Sequence, residues 1–337
     1  MTTATPLSVS VILGAGFSYV AGLPLTRDLY NTDDLPPNTS ERALRNHEEV
    51  RIAWDHWSSH RKIPNAEEWL ESLYFSTNPP GMSALWDKAV KFALAQLVRP
   101  WQGSKTPYYY GVTTSIESKV HREFWEIIRN LFQLKNVVTM NYDLLAEQGL
   151  RKEYTEKRHP PICYYGGWPY VQYVRVMKDL APPHWEEVRL GEEVILHKMH
   201  GSLNWAREPH GLKIHDDVRA AFRVDASKGQ IIVVPPVPEK SMPLELYNVW
   251  QSAEQHLAVC DVWLVCGYSL PEYDTALHEF FSRTAAHSCV QHLIICDPDA
   301  ASVARRWRNI FKATPCIHEM PGLPDCFAQL AYRPWES

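Results

Sequence analysis

Residues 8–27 read SVSVILGAGFSYVAGLPLTR, and they open with a short run dominated by Val, Ile and Leu. A short apolar, β-branched run is typical of a buried strand. The run ends in Gly14-Ala15-Gly16, which predicts a tight turn, and a helix should follow it. A buried strand that enters a glycine turn and then a helix is the first unit expected of an α/β sheet.

Further strand patterns recur along the chain, and most lead into a turn or a polar cluster. They lie at 137–140, 194–198, 230–234, 262–266 and 292–296. Helical patterns at 244–257 and 300–311 supply the connections between strands. Strands that alternate with helices predict an α/β fold with a doubly wound, parallel, Rossmann-like sheet.

Four amphipathic segments lie between the first strand and the second. They cover residues 41–57, 66–75, 83–98 and 115–132. We therefore predict a large helical insertion or subdomain over 35–130, with 1–34 and 131–337 forming the Rossmann-like domain. The helical block contains six tryptophans, which we expect mainly in its core and in part as surface anchors: Trp54, Trp57, Trp69, Trp86, Trp101 and Trp125. Residues 151–190 are rich in Pro, Gly, Tyr and His and predict irregular structure or a small β excursion.

Composition excludes several classes of protein. The 337 residues are 45% hydrophobic and 22% charged, which indicates a globular chain. The net charge of −5 gives no global attraction to nucleic acid or to anionic membranes. The apolar segment 11–25 follows no Lys or Arg and is interrupted by glycines and Pro24, so it does not resemble a signal peptide. We expect a cytoplasmic protein.

The seven cysteines form no Cys-x-x-Cys pair, and their number is odd. This pattern predicts neither a zinc ribbon nor a disulfide framework. His197 and His200 have a spacing seen in metal sites, but no third ligand accompanies them in the sequence. We therefore expect no metal and no stoichiometric zinc.

Four segments, in the same order along the chain, carry a family resemblance. They are residues 14–27, Thr139-Met140-Asn141-Tyr142-Asp143, Met199-His200-Gly201 and Gly267-Tyr268-Ser269-Leu270. Together they resemble the signature segments of sirtuins. The longer segments 200–205 (HGSLNW) and 267–274 (GYSLPEYD) resemble a divergent prokaryotic branch of sirtuin-like proteins.

The resemblance implies a sirtuin-like domain that binds NAD as its substrate. Proteins of that branch are mainly NAD hydrolases in bacterial anti-phage defence, which implies an effector that depletes NAD. It also implies a homo-oligomer or a complex with a second defence protein, such as a HerA-type ATPase or an Argonaute relative. Leu25, Thr26 and Met140 depart from the family signature, and the zinc ribbon that helps to frame the acyl-lysine channel is missing. Loss of the ribbon favours water as the acceptor.

Two residues are our candidates for catalysis. Asn141 carries an amide that can orient water or a ribose hydroxyl, and His200 carries an imidazole that can accept a proton near neutral pH. Nine further residues are candidates for binding the dinucleotide: Gly14, Ala15, Gly16, Ser18, Arg27, Asp143, Gly267, Ser269 and Asp297. The glycine turn would approach the pyrophosphate, the two serines the phosphates or riboses, and Asp297 the adenosine ribose.

Several alternatives remain open from sequence. Asn141 is also a favourable helix N-cap, and Arg27 is also compatible with a surface position. The same site would suit a sirtuin-type deacylase or an ADP-ribosyltransferase. A non-catalytic sensor of NAD or ADP-ribose is the alternative from a different class.

Overall fold

A computed structural model describes the chain in separate stretches. The described residues are 6–25, 28–30, 41–62, 64–78, 81–97, 119–146, 150, 163–164, 174–176, 184–186, 194–208, 211–214, 230–233 and 244–336. Arg27 and Trp101, which the sequence analysis singled out, lie outside these residues.

The strands have the following bounds: β1 (Ser8–Leu13), β2 (Gln133–Thr139), β3 (Cys163–Tyr164), β4 (Val174–Val176), β5 (His184–Glu186), β6 (Ile195–Lys198), β7 (Gly201–Glu208), β8 (Gly211–Ile214), β9 (Gln230–Val233), β10 (Val262–Cys266), β11 (His292–Cys296) and β12 (Cys316–Met320). The central sheet has seven parallel strands in the order β12-β11-β10-β1-β2-β6-β3. The chain first forms β2, β3 and β6 on one side of β1, and later forms β10, β11 and β12 on its other side. The point where the strand order reverses therefore lies between β1 and β10, and such a point is where ligands of doubly wound sheets bind.

Helices cover both faces of this sheet. Their bounds are α1 (Ala15–Tyr19), α2 (Glu41–Ser59), α3 (Ala66–Tyr74), α4 (Ala84–Leu97), α5 (Lys119–Leu131), α6 (Leu244–Ala258), α7 (Thr275–Ala286), α8 (Ala300–Arg308) and α9 (Phe327–Ala331), followed by a short 3-10 helix, Pro334–Glu336. Val11 and Leu13 of β1 face a cluster shared with α2–α5, whereas Ile12 faces a cluster shared with α6–α8. Alternate β1 side chains therefore enter two separate cores, and the predicted doubly wound α/β fold is confirmed.

One predicted strand belongs to a different sheet from the one expected. Residues 230–233 form β9, but β9 pairs antiparallel with β7, which also pairs antiparallel with β8. The apolar pattern predicted the strand correctly, and its assignment to the parallel sheet was wrong. An apolar run carries no information about the direction of its partner strand. The segment after His200 also continues directly into β7, where a loop was expected.

The predicted helices of the block 41–131 are present, and they share one apolar cluster with the sheet. Four of the tryptophans are core residues, with exposed fractions of 6% or less: Trp54, Trp69, Trp86 and Trp125. Trp57 is half-buried and packs against the same cluster. The tryptophans therefore pack the helical block 41–131 against the sheet. The predicted division of the chain, with 35–130 as an insertion or subdomain, stays a prediction.

Among the described helices, none has the length and apolar character needed to cross a bilayer. Within the same described stretches six cysteines are free thiols, of which Cys289 and Cys316 are exposed. β12 was not predicted from sequence. Its alternation of Cys, His and Glu with apolar residues hides an edge strand that is only partly buried.

The turns that follow β1 and β10 touch each other through glycine backbone. The N–H of Gly14 donates to the carbonyl of Cys266 at 3.1 Å, and the N–H of Gly16 donates to the carbonyl of Gly267 at 3.0 Å. A Cβ atom on Gly267 would lie 2.3 Å from the nitrogen of Phe17, and one on Gly14 would lie 2.5 Å from the carbonyl oxygen of Gly267. The contact between the turns therefore requires glycine at these positions, because a Cβ atom would overlap with backbone of the other turn. The N–H groups of Gly14 and Gly16 are bound to protein carbonyls.

We expect Gly267→Ala to lower the free energy of unfolding by about 3 kcal/mol or more. Gly267 has φ +63°, so a side chain adds a left-handed backbone penalty to the steric overlap with Phe17. Chemical denaturation measures the loss.

Gly22→Ala is the matched control, because Gly22 is exposed and also has a positive φ of 85°. It should lose only the backbone penalty of about 1–2 kcal/mol. Equal losses in the two variants would show that the contact between the turns contributes nothing.

Candidate functional site

The candidate site lies at the carboxyl edge of the sheet. The turn after β1 carries Gly14, Ala15, Gly16 and Ser18, and the residues after β2 include Asn141 and Asp143. The turn after β6 carries His200. Because the carboxyl ends of parallel strands meet at one edge, three segments that are distant in sequence converge there. The sequence predicted these side chains, and the sheet order brings them together.

Asn141 is held by two hydrogen bonds from its side-chain amide. Nδ2 donates to the carbonyl of Gly14 at 2.8 Å and to Oγ of Ser18 at 2.9 Å. The backbone N–H of Asn141 donates to Oγ1 of Thr139 at 3.1 Å. The amide is therefore fixed across the turn after β1. In this orientation Asn141 does not cap a helix.

Asp143 closes a local turn and also anchors Ser18. Its Oδ1 accepts from the N–H of Leu145 at 2.9 Å, and its Oδ2 accepts from Oγ of Ser18 at 2.7 Å. Lys198, a fully buried lysine, donates through Nζ to the carbonyl of Asp143. Both carboxylate oxygens of Asp143 are thus engaged. Asp143 therefore fixes Ser18, and through it Asn141, while its predicted part in binding the dinucleotide stays a prediction.

His200 is buried, with 4% of its surface exposed. Within the part of the chain that the structure describes, neither ring nitrogen has a hydrogen-bond partner of good geometry. Burial lowers the pKa of His200 to about 4, and the nearby backbone of Met140 opposes this shift. The imidazole is therefore neutral at physiological pH, which is the state that accepts a proton. A buried polar group without a partner is uncommon and often marks a functional site.

The two histidines with metal-like spacing, His197 and His200, have different surroundings. His197 lies in β6, and its Nε2 contacts Oγ of Ser252 on α6 at 3.0 Å. Its ring packs 5.3 Å from that of His256 on the same helix. Strand geometry separates the two histidines, because β6 ends at Lys198 and His200 belongs to the turn that follows.

A second group of acids and phenols lies beside this network. Asp274 accepts from the hydroxyl of Tyr268 at 3.1 Å and caps α7 through the N–H of Leu277 at 3.3 Å. Burial raises the pKa of Asp274 to about 6. On α3, burial and then the charge of Asp274 raise the pKa of Glu67 to about 8. Burial, followed by the charge of Glu67, also raises the pKa of Tyr142 well above its ordinary value.

Sequence reasoning missed Glu67, Asp274 and Lys198. Glu67 reads as an ordinary acid in the first turn of a helix, where Asn65 indeed provides the N-cap by accepting from the N–H of Glu67 at 2.9 Å. Lys198 could have been noticed, because a lysine is out of place in the apolar run of β6. Glu67 reaches the site only through the packing of the helical block.

The remaining predicted binding residues lie on the β10 side of the edge. Ser269 is exposed, and its carbonyl accepts from Nε of Arg306 at 2.6 Å. Asp297 follows β11 and accepts from the N–H of Asp299 at 2.9 Å. β11 is two strands away from β1, which is roughly 10 Å at the usual strand spacing. Asp297 thus lies apart from Asn141 and His200.

Comparisons with known proteins give weak structural similarity only. No protein-family model matches the chain, and no curated protein matches it. A mutant Sir2 homologue in complex with 2'-O-acetyl-ADP-ribose is similar with a TM-score of 0.45 and 15% identity, over 99% of this chain and 94% of that one. Two other mutant Sir2 homologues in complex with ADP-ribose are similar with TM-scores of 0.37. They have 14% and 13% identity over 91% and 90% of this chain, and over 85% and 91% of theirs.

We expect Glu67→Gln to remove a loss of stability at alkaline pH. Because the pKa of Glu67 is raised to about 8 in the folded protein, folded chains hold a proton that unfolded chains release near the ordinary carboxyl pKa. The stability that this provides is complete below the unfolded pKa and is lost as the pH rises through the folded pKa. The variant should resemble the wild type near about pH 4 and gain stability relative to it toward about pH 9.

Urea midpoints measured across this range test the prediction. Glu68→Gln, on the same turn of α3, is the control and should leave the pH dependence unchanged. Parallel curves for the wild type and Glu67→Gln would show that Glu67 does not hold a proton in the folded state.

Proposed function

We propose that the protein is an NAD glycohydrolase, which cleaves NAD to nicotinamide and ADP-ribose. The observation that carries the proposal is the fixed network of Ser18, Asn141 and Asp143 beside a neutral, buried His200 at the carboxyl edge of the sheet. Three of the four sequence segments that resemble sirtuins supply these residues.

The chemistry of the bond suits this small set of groups. The nicotinamide ring nitrogen is a cationic pyridinium in NAD and leaves as a neutral pyridine, so the departing group takes the electron pair without a general acid. The protein must then stabilise the developing positive charge on the ribose and place a water molecule. No metal ion is needed for either task.

Asn141 and His200 divide the work on the water. Asn141, held by Gly14 and Ser18, orients the water or a ribose hydroxyl by hydrogen bonding. As the oxygen of water bonds to the ribose carbon and the bond to nicotinamide breaks, one proton of the water passes to a ring nitrogen of His200. Within the described stretches neither ring nitrogen of His200 makes a hydrogen bond of good geometry, although the backbone of Met140 lies nearby, so a ring nitrogen remains to accept this proton.

The rest of the dinucleotide is proposed to lie along the carboxyl edge. Gly14, Ala15 and Gly16 would lie next to the pyrophosphate, at the point where the strand order reverses. Gly267 packs against Gly14 and Gly16. Ser18 and Ser269 face the phosphates or riboses, and Asp297 binds the adenosine ribose. The separation between β1 and β11 suits an extended dinucleotide. Arg27 belongs to this proposal through its sequence segment alone.

We further propose a role as the effector of a bacterial anti-phage defence system that depletes NAD. This part rests on the segments 200–205 and 267–274, which resemble proteins of that kind. Constant cleavage of NAD would deplete the cell, so control has to come from assembly or from a second protein.

We expect Asn141→Ala and His200→Ala each to lower turnover of NAD by at least ~100-fold, the scale of lost positioning or proton transfer. Release of nicotinamide and formation of ADP-ribose are measured by chromatography. The product also separates hydrolysis from transfer of ADP-ribose to protein and from removal of an acyl group from lysine.

Exposed residues outside the site supply matched controls. Asn309→Ala, just after α8, and His287→Ala, just after α7, should keep full activity. Thermal melting verifies that each variant is folded. Full activity in both site variants would contradict the mechanism. If the wild type binds NAD but does not cleave it, alone or with its genomic neighbour, the result would favour a sensor.

We also expect the active form to be a homo-oligomer or a complex with a second defence protein, such as a HerA-type ATPase or an Argonaute relative. The helical block presents exposed apolar side chains at Ile52, Phe75 and Met82, which are suited to a protein contact. Light scattering of the chain, alone and co-expressed with its genomic neighbour, measures the assembly. A fully active monomer of 38.8 kDa under both conditions would contradict this expectation.

A further inference from the structure

Three metal-ligating side chains meet at the end of the sheet opposite to the candidate site. His292 is the first residue of β11, and Cys316 is the first residue of the neighbouring β12. The two are paired in the parallel register, and His318 follows two residues after Cys316. Because alternate residues of a strand point to the same face, all three side chains lie on one face of the sheet. The register thus explains a cluster that the sequence spacing hides.

The distances within this cluster are close to those of a metal site. Nδ1 of His292 lies 3.2 Å from Nε2 of His318. One ligand atom from each of the three residues lies within 4.8 Å of the others. Tetrahedral zinc with ordinary bond lengths places its nitrogen and sulfur ligands about 3.3–3.6 Å apart. The two imidazoles already have this separation, and the thiol closes the set with a displacement of about 1 Å, which a side-chain rotation provides.

The surroundings also suit a cation. The carboxylate of Asp261 interacts electrostatically with His292, and it is held in place by the N–H and hydroxyl of Ser8 at 2.9 and 2.6 Å. The ring of Trp335 lies 6.3 Å from that of His318, in an edge-on arrangement. Cys316 is exposed, so an ion can enter from solvent.

We propose that His292, Cys316 and His318 bind one zinc ion, with water as the fourth ligand. Two imidazole nitrogens and one thiolate bind zinc in preference to calcium and magnesium, because those two ions take oxygen ligands. Binding replaces the contact between the two imidazoles with two zinc–nitrogen bonds and releases the thiol proton of Cys316 to solvent. The site would link the edge strand β12 to β11, because its ligands come from both.

This zinc site is independent of the proposed NAD chemistry. It lies at the amino ends of the strands, whereas Asn141 and His200 lie beyond the carboxyl ends. It also replaces the expectation of no stoichiometric zinc, which rested on the lack of paired cysteines. Zinc here would not indicate the ribbon of a deacylase, because its ligands come from the core sheet.

Zinc titration of the full chain, without an affinity tag, tests the proposal. We expect one equivalent of Zn²⁺ to bind in competition with a coloured chelator, with a rise in the melting temperature. Cys316→Ser and His318→Gln should each weaken zinc binding by at least ~100-fold. Loss of a residue that only hydrogen-bonds to a metal ligand usually has a smaller effect. Cys289→Ser removes the other described exposed cysteine and should bind zinc as the wild type does.

Cobalt substitution of the wild type gives a readout that does not depend on the folding of any variant. Bound Co²⁺ should show a thiolate-to-metal charge-transfer band that is absent from Cys316→Ser. Failure of the wild type to bind zinc, or a cobalt complex without thiolate absorption, would overturn the proposal. Undiminished affinity in Cys316→Ser and His318→Gln would also overturn it and leave a simple hydrogen bond between the imidazoles.

Discussion

The backbone contact between Gly16 and Gly267 is the constraint on which the arrangement of the carboxyl edge depends. It joins the turns after β1 and β10 at the point where the strand order reverses. A Cβ on either residue would overlap with backbone of the other turn. On the other side of β1, Ser18 of α1 is hydrogen-bonded to Asn141 and Asp143, which follow β2. The start of α1 is therefore tied to the ends of both strands that flank β1.

The polar atoms at this edge divide into two kinds. Ser18, Asn141 and Asp143 satisfy one another and nearby backbone groups, so their positions are determined before any ligand binds. His200 is different, because burial keeps it neutral while neither of its ring nitrogens makes a hydrogen bond of good geometry in the described residues. An unsatisfied buried polar group costs about 1–3 kcal/mol, a cost that a bound substrate would offset. In the proposed mechanism, Ser18, Asn141 and Asp143 are preorganised, and His200 is the group that gains a hydrogen-bond partner when substrate binds.

The two ends of the sheet carry different chemistry. At the carboxyl edge, the helical block places Glu67 against Asp274, and burial of these neighbouring acids raises the pKa of each. At the amino edge, β11 and β12 place two imidazoles and a thiol together, and the carboxylate of Asp261 interacts with His292 there. Parallel strands separate these groups by the length of a strand. The proposed dinucleotide site and the proposed zinc site would therefore lie at opposite ends of one sheet.

The local patterns of the chain determined most strands of the parallel sheet, most helices and the glycine turn, since apolar periodicity and turn residues depend on near neighbours in sequence. They also identified Asn141, Asp143 and His200, because these residues stand in distinctive segments where strands end. The antiparallel partner of β9, the edge strand β12 and the approach of Glu67 to Asp274 were decided by tertiary structure. So was the cluster of His292, Cys316 and His318. Pairing partners, register and helix packing are contacts between residues far apart in the chain, and no local pattern encodes which distant side chain will be the neighbour.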